Sequence, residues 1–137
     1  MKAKLSVLAV GFGLLGSFVP ALAHHSFAAE YDANKTITVT GTVTKFEWTN
    51  PHAHFYVDVK DAKGEVKNFN VEISSPINLK RRGWTRDDLK PGDTVTVEGY
   101  LAKDGAQLID GQKVTLANGK KLFAGSPTDP GGGKDKE

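Results

Sequence analysis

The sequence predicts an all-β domain with little helix, on three observations. Several short segments alternate apolar with polar residues, as half-buried strands do. Turn-forming Gly, Pro, Asn and Asp residues separate these segments. One short helical segment lies between the third and the fourth of them. This order predicts a five- to six-stranded OB-like β-barrel, the oligonucleotide/oligosaccharide-binding type, with a short helix between strands 3 and 4. A twisted sheet with an added hairpin is the alternative.

The first predicted strand is long and bent. Residues 36–43 alternate strictly, with threonine at every even position and an apolar residue or glycine at every odd position. The alternation then slips, and Phe46 and Trp48 occupy even positions. The slip, together with Gly41, predicts a bulge or a bend. The Asn-Pro pair that follows ends the strand, because proline has no N–H to donate.

The next elements are a hairpin and a short helix. Alternating residues predict strands over 54–60 and 66–73, and residues 61–64 form the loop between them. A serine pair then offers helix N-caps, and Pro76 suits the first helical position. We expect about two helical turns over 77–82, ended by a glycine.

The last strands follow a tight Pro-Gly turn. Alternation over 95–101 predicts the fourth strand, and a weaker fifth strand is expected over 107–116. Asn118-Gly119 is a strong signal for a two-residue hairpin, which predicts a returning strand at 122–123. Residues 126–137 are rich in Pro, Gly, Lys and Asp, and we expect them to be disordered.

The first 23 residues have the features of a secretory signal peptide. Lys2 and Lys4 precede an apolar run, and Ala21-Leu22-Ala23 provides small residues at a signal-peptidase site. A membrane anchor is the alternative, but the run of about 15 residues is shorter than the roughly 20 that a spanning helix needs. We expect export to the bacterial periplasm with cleavage after Ala23. The predicted organisation is signal peptide 1–23, N-terminal arm 24–35, barrel domain 36–125 and disordered tail 126–137.

Charge and composition exclude several functions. The chain has 18 Lys and Arg residues and 16 Asp and Glu residues, and Lys2 and Lys4 account for the excess. A neutral mature chain predicts no nucleic-acid partner and no membrane contact after cleavage, and we expect a monomer. The absence of cysteine excludes disulfides and thiolate catalysis. Without a nucleophile-elbow motif the chain is not predicted to be an enzyme.

Two of the four histidines lie at the start of the second predicted strand. His52 and His54 are two residues apart, so both rings should point to the solvent face, opposite Phe55. Asp58 follows on the same face and can act as a weak or supporting ligand. Two imidazoles in this arrangement can share one metal ion.

The other two histidines begin the predicted mature chain. Cleavage would give His24 a free α-amine beside its own ring and next to His25. The amine and ring of His24, with a ring from His52 or His54, would form a three-nitrogen site if the arm folds back over the barrel. Amine and imidazole donors favour copper as Cu(II). The sequence therefore predicts a periplasmic protein that binds a transition metal such as copper.

The same residues also have a metal-free interpretation. The paired histidines can be a turn cap and a solvated strand residue, and the N-terminal pair can be incidental. The domain would then be a binding module for a sugar, a peptide or a partner protein, whose ligand face includes Trp48, Tyr56 and Tyr100. Trp48 can instead pack against the core beside Phe46.

A basic cluster surrounds the second tryptophan. Lys80, Arg81, Arg82 and Arg86 lie close to Trp84 in the sequence. They could contact an anion or an oligosaccharide, with the indole as a stacking surface. We favour a solvated face over which the arginine stems pack, while Trp84 closes one end of the barrel.

Four motifs resemble a family of short exported bacterial proteins that is catalogued as a domain of unknown function. They are His24-His25-Ser26-Phe27, Trp48-Thr49-Asn50-Pro51-His52, Arg81-Arg82-Gly83-Trp84-Thr85 and Leu89-Lys90-Pro91-Gly92-Asp93. The resemblance covers about residues 24–125. It implies a small exported β-barrel-like domain and no established activity.

A weaker resemblance is to periplasmic copper chaperones with a five-stranded barrel. These bind Cu(I) through a histidine and two methionines, with a tryptophan packed against the ion. Trp48 and His52 or His54 would take the tryptophan and histidine roles. The one methionine, Met1, leaves with the signal peptide, so Cu(II) with nitrogen ligands suits this chain better.

Overall fold

A computed structural model of the protein describes residues 27–130, which are mostly β-structure. The predicted all-β fold, with one short helix between the third and fourth strands, is confirmed. A further four-residue helix precedes the first strand. The elements are α1 (Phe27–Glu30), β1 (Tyr31–Glu47), β2 (His54–Lys60), β3 (Val66–Glu72), α2 (Pro76–Arg81), β4 (Thr94–Ala102), β5 (Leu108–Leu116) and β6 (Lys121–Phe123).

The strands close into a ring. Their order is β3-β2-β1-β4-β5-β6 with antiparallel neighbours, and β3 also pairs with β5 in parallel from Asn70↔Leu108 to Glu72↔Asp110. The ring is therefore β1-β2-β3-β5-β4, the connectivity of an OB-like barrel. In an open twisted sheet β3 and β5 would not pair with each other, so the alternative of an open sheet does not apply. β6 lies outside the ring and extends the sheet from β5.

The inward-facing side chains form one apolar core. Alternate residues of the ring strands point inward, as the alternation predicts. Some of them, such as Ile37 and Val39, are half-buried, and the fully buried ones include Val43, Phe55, Val57, Val71, Val95, Val97, Ile109 and Val114. Leu79 of α2 and the following Trp84 and Leu89 pack against them. Trp84 is 2% exposed and its Nε1 donates to the Phe123 carbonyl at 2.7 Å. The expected packing of this indole into the barrel is confirmed.

The long first strand bends so that it can pair with two neighbours. Its first half pairs with β4 and its second half with β2, and the register with β2 shifts between Val43 and Lys45. The predicted bulge is therefore present, at Thr44, where the alternation slips. Gly41 meets a different constraint, because a Cβ there would lie 2.3 Å from the carbonyl oxygen of Asp58.

Several boundaries differ from the predicted ones. β1 begins at Tyr31 rather than Thr36, because Tyr31 already pairs with Ala102. Ser75 is the N-cap of α2, but its side chain makes no capping hydrogen bond. At the other end of the described chain, residues 126–130 of the predicted disordered tail contain a turn closed from Asp129 N–H to the Ser126 carbonyl. The predicted signal peptide, His24 and His25 lie outside the described residues.

Gly41→Ala should destabilise the fold by about 1–3 kcal/mol, because the added methyl group meets a strand backbone that cannot move aside. Urea denaturation measures the effect. Thr38→Ala, at an exposed position of the same strand, is the control and should cost less than about 1 kcal/mol. Equal effects of the two substitutions would contradict the close approach of β2.

Candidate functional site

A cavity of about 570 Å³ lies against the outer surface of the barrel. One wall comes from the start of the described chain, another from its end, and the floor from the ring strands. The lining residues are Phe27, Ala28, Tyr31, His52, Glu72, Asp110, Ser126, Thr128, Asp129 and Pro130. The cavity thus combines an imidazole and three carboxyl groups with aromatic rings.

The floor depends on the parallel pairing of β3 with β5, which places Glu72 beside Asp110. Both residues alternate with core residues and therefore lie on the outer face of the ring. His52 belongs to the β1–β2 loop. The next residue, Ala53, exchanges backbone hydrogen bonds with Ile73 and Ser74 at the end of β3. This pairing holds His52 next to Glu72.

Aromatic rings tie the two terminal walls together. Phe27 stacks on Tyr31 with ring centroids 5.7 Å apart and meets Tyr100 edge-on at 5.2 Å. The Tyr100 hydroxyl donates to the Pro130 carbonyl at 3.2 Å. Lys103 donates through its side chain to the Ala28 carbonyl. The start and the end of the described chain are therefore joined across β4.

Glu72 is the central group of the site. Its carboxylate accepts a hydrogen bond from the Tyr31 hydroxyl at 2.6 Å and another from Nδ1 of His52. The hydrogen bond with Glu72 raises the pKa of His52, and partial burial opposes this effect. Burial alone would raise the pKa of Glu72, but the hydrogen bonds from His52 and Tyr31 outweigh it and lower that pKa. The His52 imidazolium and the Glu72 carboxylate therefore stabilise each other.

Two further carboxyl groups, Asp110 and Asp129, line the cavity. The amide nitrogen of Gln112 donates to Asp110 at 2.6 Å and to Asp129 at 3.1 Å. Asp110 is only 6% exposed. Burial, followed by the nearby charge of Asp129, raises the pKa of Asp110 to about 8. Burial also raises the pKa of Asp129. The cavity therefore favours a positive charge, whether a proton or another cation.

The structure places His52 in this cavity and His54 beside it. His54 lies directly opposite Glu72 in the β2–β3 register, and its Nδ1 is 3.0 Å from the Asn70 side-chain oxygen. Glu72 is thus hydrogen-bonded to one predicted ligand and paired in register with the other. His24 and His25 precede Phe27 and lie outside the described residues.

The other predicted site residues do not line the cavity. Trp48 is half-buried, packs against the core and meets Phe46 edge-on at 5.7 Å. Tyr56 donates to Glu47 at 3.2 Å, and Asp58 accepts from the Asn68 amide at 2.8 Å. Tyr56 and Asp58 belong to a polar outer face formed by β1, β2 and β3.

Sequence reasoning missed the carboxyl groups and Tyr31. Glu72 and Asp110 occupy outward positions of predicted strands. This outward position was the sequence feature that could have marked them as site residues. Their meeting depends on pairing between strands that are distant in the chain. Asp129 lies in a segment that was expected to be disordered. Within residues 27–130, no three His, Cys, Asp or Glu side chains are placed to hold a metal ion together.

Comparison with known proteins assigns the chain to a family. The model of a family of unknown function, DUF6152, matches residues 13–112. The chain belongs to this family. The resemblance to a family without an established activity is confirmed. No curated protein matches the chain in sequence.

Two solved structures share the fold at low sequence identity. The mitochondrial single-stranded DNA binding protein Rim1 from S. cerevisiae is 12% identical, with a TM-score of 0.48, and the match covers 61% of this chain and 93% of Rim1. The small single-stranded DNA-binding protein from Streptomyces coelicolor is 18% identical, with a TM-score of 0.38, and the match covers 62% and 93% of the two chains. At this level of similarity the matches describe the fold and assign no ligand.

These neighbours correct one expectation. The neutral net charge led us to exclude a nucleic-acid partner, yet both neighbours are single-stranded DNA-binding proteins. The exclusion does not stand. Net charge is a sum over the whole chain, whereas binding of a polyanion depends on where the charges lie.

Glu72→Gln should lower the pKa of His52 toward its ordinary value of 6.5, because the carboxylate that stabilises the imidazolium is removed. An NMR titration of the His52 ring protons measures this shift. Glu47→Gln removes a carboxylate that contacts Tyr56 and should leave the titration of His52 unchanged. An unchanged His52 titration in Glu72→Gln would contradict the pairing.

Asp110→Asn should flatten the pH dependence of stability. The pKa of Asp110 in the folded state is about 8, against an ordinary value of 3.8. Its protonated side chain therefore contributes to the free energy of unfolding at low pH, and this contribution is lost as the pH rises through 8. The free energy of unfolding, measured with urea, should fall less between about pH 5 and pH 8 in the variant. Because the pKa of His52 is also raised, the free energy of unfolding of the variant should still decrease somewhat as the pH rises. Exposed Asp87→Asn is the control and should retain the full slope.

Proposed function

We propose that the protein is an exported periplasmic binding protein that holds a transition-metal ion such as Cu(II) at the cavity beside His52. In this proposal the ion is bound by histidine nitrogens and is buffered or handed to a partner, without catalysis. The observation that carries the proposal is the hydrogen bond from His52 Nδ1 to the Glu72 carboxylate.

That hydrogen bond supports metal binding because it determines which ring nitrogen is available. A metal-binding histidine commonly donates its other N–H to a carboxylate, which orients the ring and increases its basicity. Glu72 is itself oriented by the Tyr31 hydroxyl. Within residues 27–130, no hydrogen bond engages the Nε2 of His52. Its lone pair is then free for an ion when the ring is neutral.

The charge of the cavity supports a cation. Glu72, Asp110 and Asp129 face the same space as His52. In a partly buried site these carboxyl groups attract a cation more strongly than they would in water. A divalent ion would also replace the proton that the raised pKa values of Asp110 and His52 favour.

The remaining donors would come from the predicted mature N-terminus. His25 is two residues before Phe27, whose ring lines the cavity, and each residue spans at most about 3.6 Å. In this proposal the amine and ring of His24, separated from Phe27 by roughly 11 Å of extended chain at most, reach the ion beside His52. Donors from this segment are needed, because the described residues hold no complete ligand group. His54, opposite Glu72, is the second ring that could complete the site.

A metal-free binding module is the second candidate. Its supporting observation is the polar outer face of β1, β2 and β3, where Lys45 lies 5.6 Å from the centroid of the Tyr56 ring. Asn68 and Asp58 provide hydrogen-bonding groups beside the ring, as sugar recognition requires. Tyr56→Ala should abolish binding to an oligosaccharide array if this face is the functional one.

The chain beginning at His24 should bind Cu(II), and His52→Ala should weaken binding by at least about tenfold. Isothermal titration measures affinity, and nitrogen hyperfine structure in electron paramagnetic resonance reports the donors. One alanine added before His24 should weaken binding similarly, because it displaces the amine. One alanine added after the last residue is the matched control and should have no effect. Affinity no tighter than millimolar would rule out the proposal.

A further inference from the structure

The described chain is electrically neutral, but its charges are unevenly distributed. Residues 27–130 contain 14 Lys and Arg and 14 Asp and Glu. Seven of the basic residues lie in two short segments, 80–90 and 120–121, which contain only two acidic residues, Asp87 and Asp88. We call this region the α2–β6 surface, and its basic residues are Lys80, Arg81, Arg82, Arg86, Lys90, Lys120 and Lys121.

Contacts between the two segments make them one continuous surface. Leu79, Trp84 and Leu89 are at most 2% exposed and hold the first segment against the barrel. Trp84 donates to the carbonyl of Phe123 at 2.7 Å, and Lys120 Nζ is 3.4 Å from an Asp88 carboxylate oxygen. The buried residues therefore fix the backbone, while the charged residues between them remain outside.

Most of these cations have no acidic partner. Lys80, Arg81, Arg86, Lys90 and Lys121 are exposed and form no ion pair within residues 27–130. Some lysines elsewhere are paired, since Lys113 pairs with Glu98 at 2.6 Å and Lys45 pairs with Glu47. Lys63 and Lys67 in turn are exposed and form no ion pair within residues 27–130, but no cluster of exposed apolar side chains surrounds them there. The positive charge of the α2–β6 surface is therefore available to an external anion.

Two exposed apolar side chains lie among these cations. Ile77 is 59% exposed and Phe123 43%, and with Val66 they are the large apolar residues most exposed in the described chain. Ile77 and Arg81 are four residues apart in α2 and share a helix face. Lys121 and Phe123 share one side of β6. Lys and Arg around exposed apolar side chains are typical of surfaces that dock on anionic bilayers.

We propose that the α2–β6 surface docks on a lipid bilayer that carries anionic phospholipid. The cations contact phosphate groups, and the Ile77 and Phe123 side chains enter the acyl boundary. Phe123 could stack on a base, but the aliphatic Ile77 cannot, and the indole of Trp84 is buried. Both Ile77 and Phe123 can enter an apolar layer, so the pair favours a bilayer over single-stranded nucleic acid. Docking is peripheral, and no helix within residues 27–130 has the length and apolar character to cross a membrane.

Vesicle co-sedimentation tests the proposal with the chain from residue 24 to 137, in a chelator so that metal binding plays no part. Vesicles of phosphatidylglycerol and phosphatidylcholine in equal amounts should bind the protein, and pure phosphatidylcholine vesicles should not. The double substitution Lys80→Glu, Arg81→Glu should weaken binding by at least about tenfold. Lys63→Glu, Lys67→Glu makes the same charge change at exposed, unpaired positions and should have little effect. Ile77→Ser should weaken binding without changing charge.

Several outcomes would overturn the proposal. They are equal binding to both kinds of vesicle, equal losses in the two double variants, and binding to a single-stranded oligonucleotide without binding to vesicles. Circular dichroism of each variant separates loss of binding from loss of fold. The surface contains none of the proposed metal ligands, so failure here leaves copper binding untouched, and failure to bind copper leaves this proposal untouched.

Discussion

The parallel pairing of β3 with β5 is the contact on which the rest of the structure depends. It closes the ring of strands, and it is the one parallel pairing among the described strands. Val71 and Ile109, which face each other in this pairing, are fully buried, and the last three residues of β3 are paired on both edges. The same pairing brings Glu72 beside Asp110 on the outer face. The closure of the barrel and the floor of the candidate site therefore depend on the same strand pairing.

The candidate site lies where the two ends of the described chain pack against the β3–β5 pairing. Phe27 and Tyr31 cover it from one side, and residues 126–130 cover it from the other. Their coverage removes water from Asp110, which raises its pKa, whereas hydrogen bonds from His52 and Tyr31 lower the pKa of Glu72 against the effect of partial burial. The chemistry of the cavity is thus a consequence of both burial and hydrogen bonding.

Charge separation links the two proposals. The net charge of the described chain is zero, yet carboxyl groups collect in the cavity and Lys and Arg collect on the α2–β6 surface. Such an arrangement suits a protein that takes up a cation while resting on an anionic surface. Residues 123–130 connect the two regions, since Phe123 contacts Trp84 and Asp129 lines the cavity.

Local sequence patterns predicted most of the elements. The span 54–60 matches β2 at both ends, because strict alternation is bounded there by a proline-containing loop and a hairpin loop. The helix between strands 3 and 4 also follows from local signals. The start of β1 was placed five residues late, since residues 31–35 do not alternate and are held by pairing at Tyr31 and by ring contacts of Phe27.

The site was only partly accessible from sequence. His52 and His54 were recognised because their spacing on a strand is a local property. Their partner Glu72 was not, because the contact depends on how the loop before β2 pairs with the end of β3. Alternation along a strand determines which side chains leave the core. Only the closure of the ring and the packing of the chain ends determine which of those side chains meet, because both join residues that are far apart in the chain.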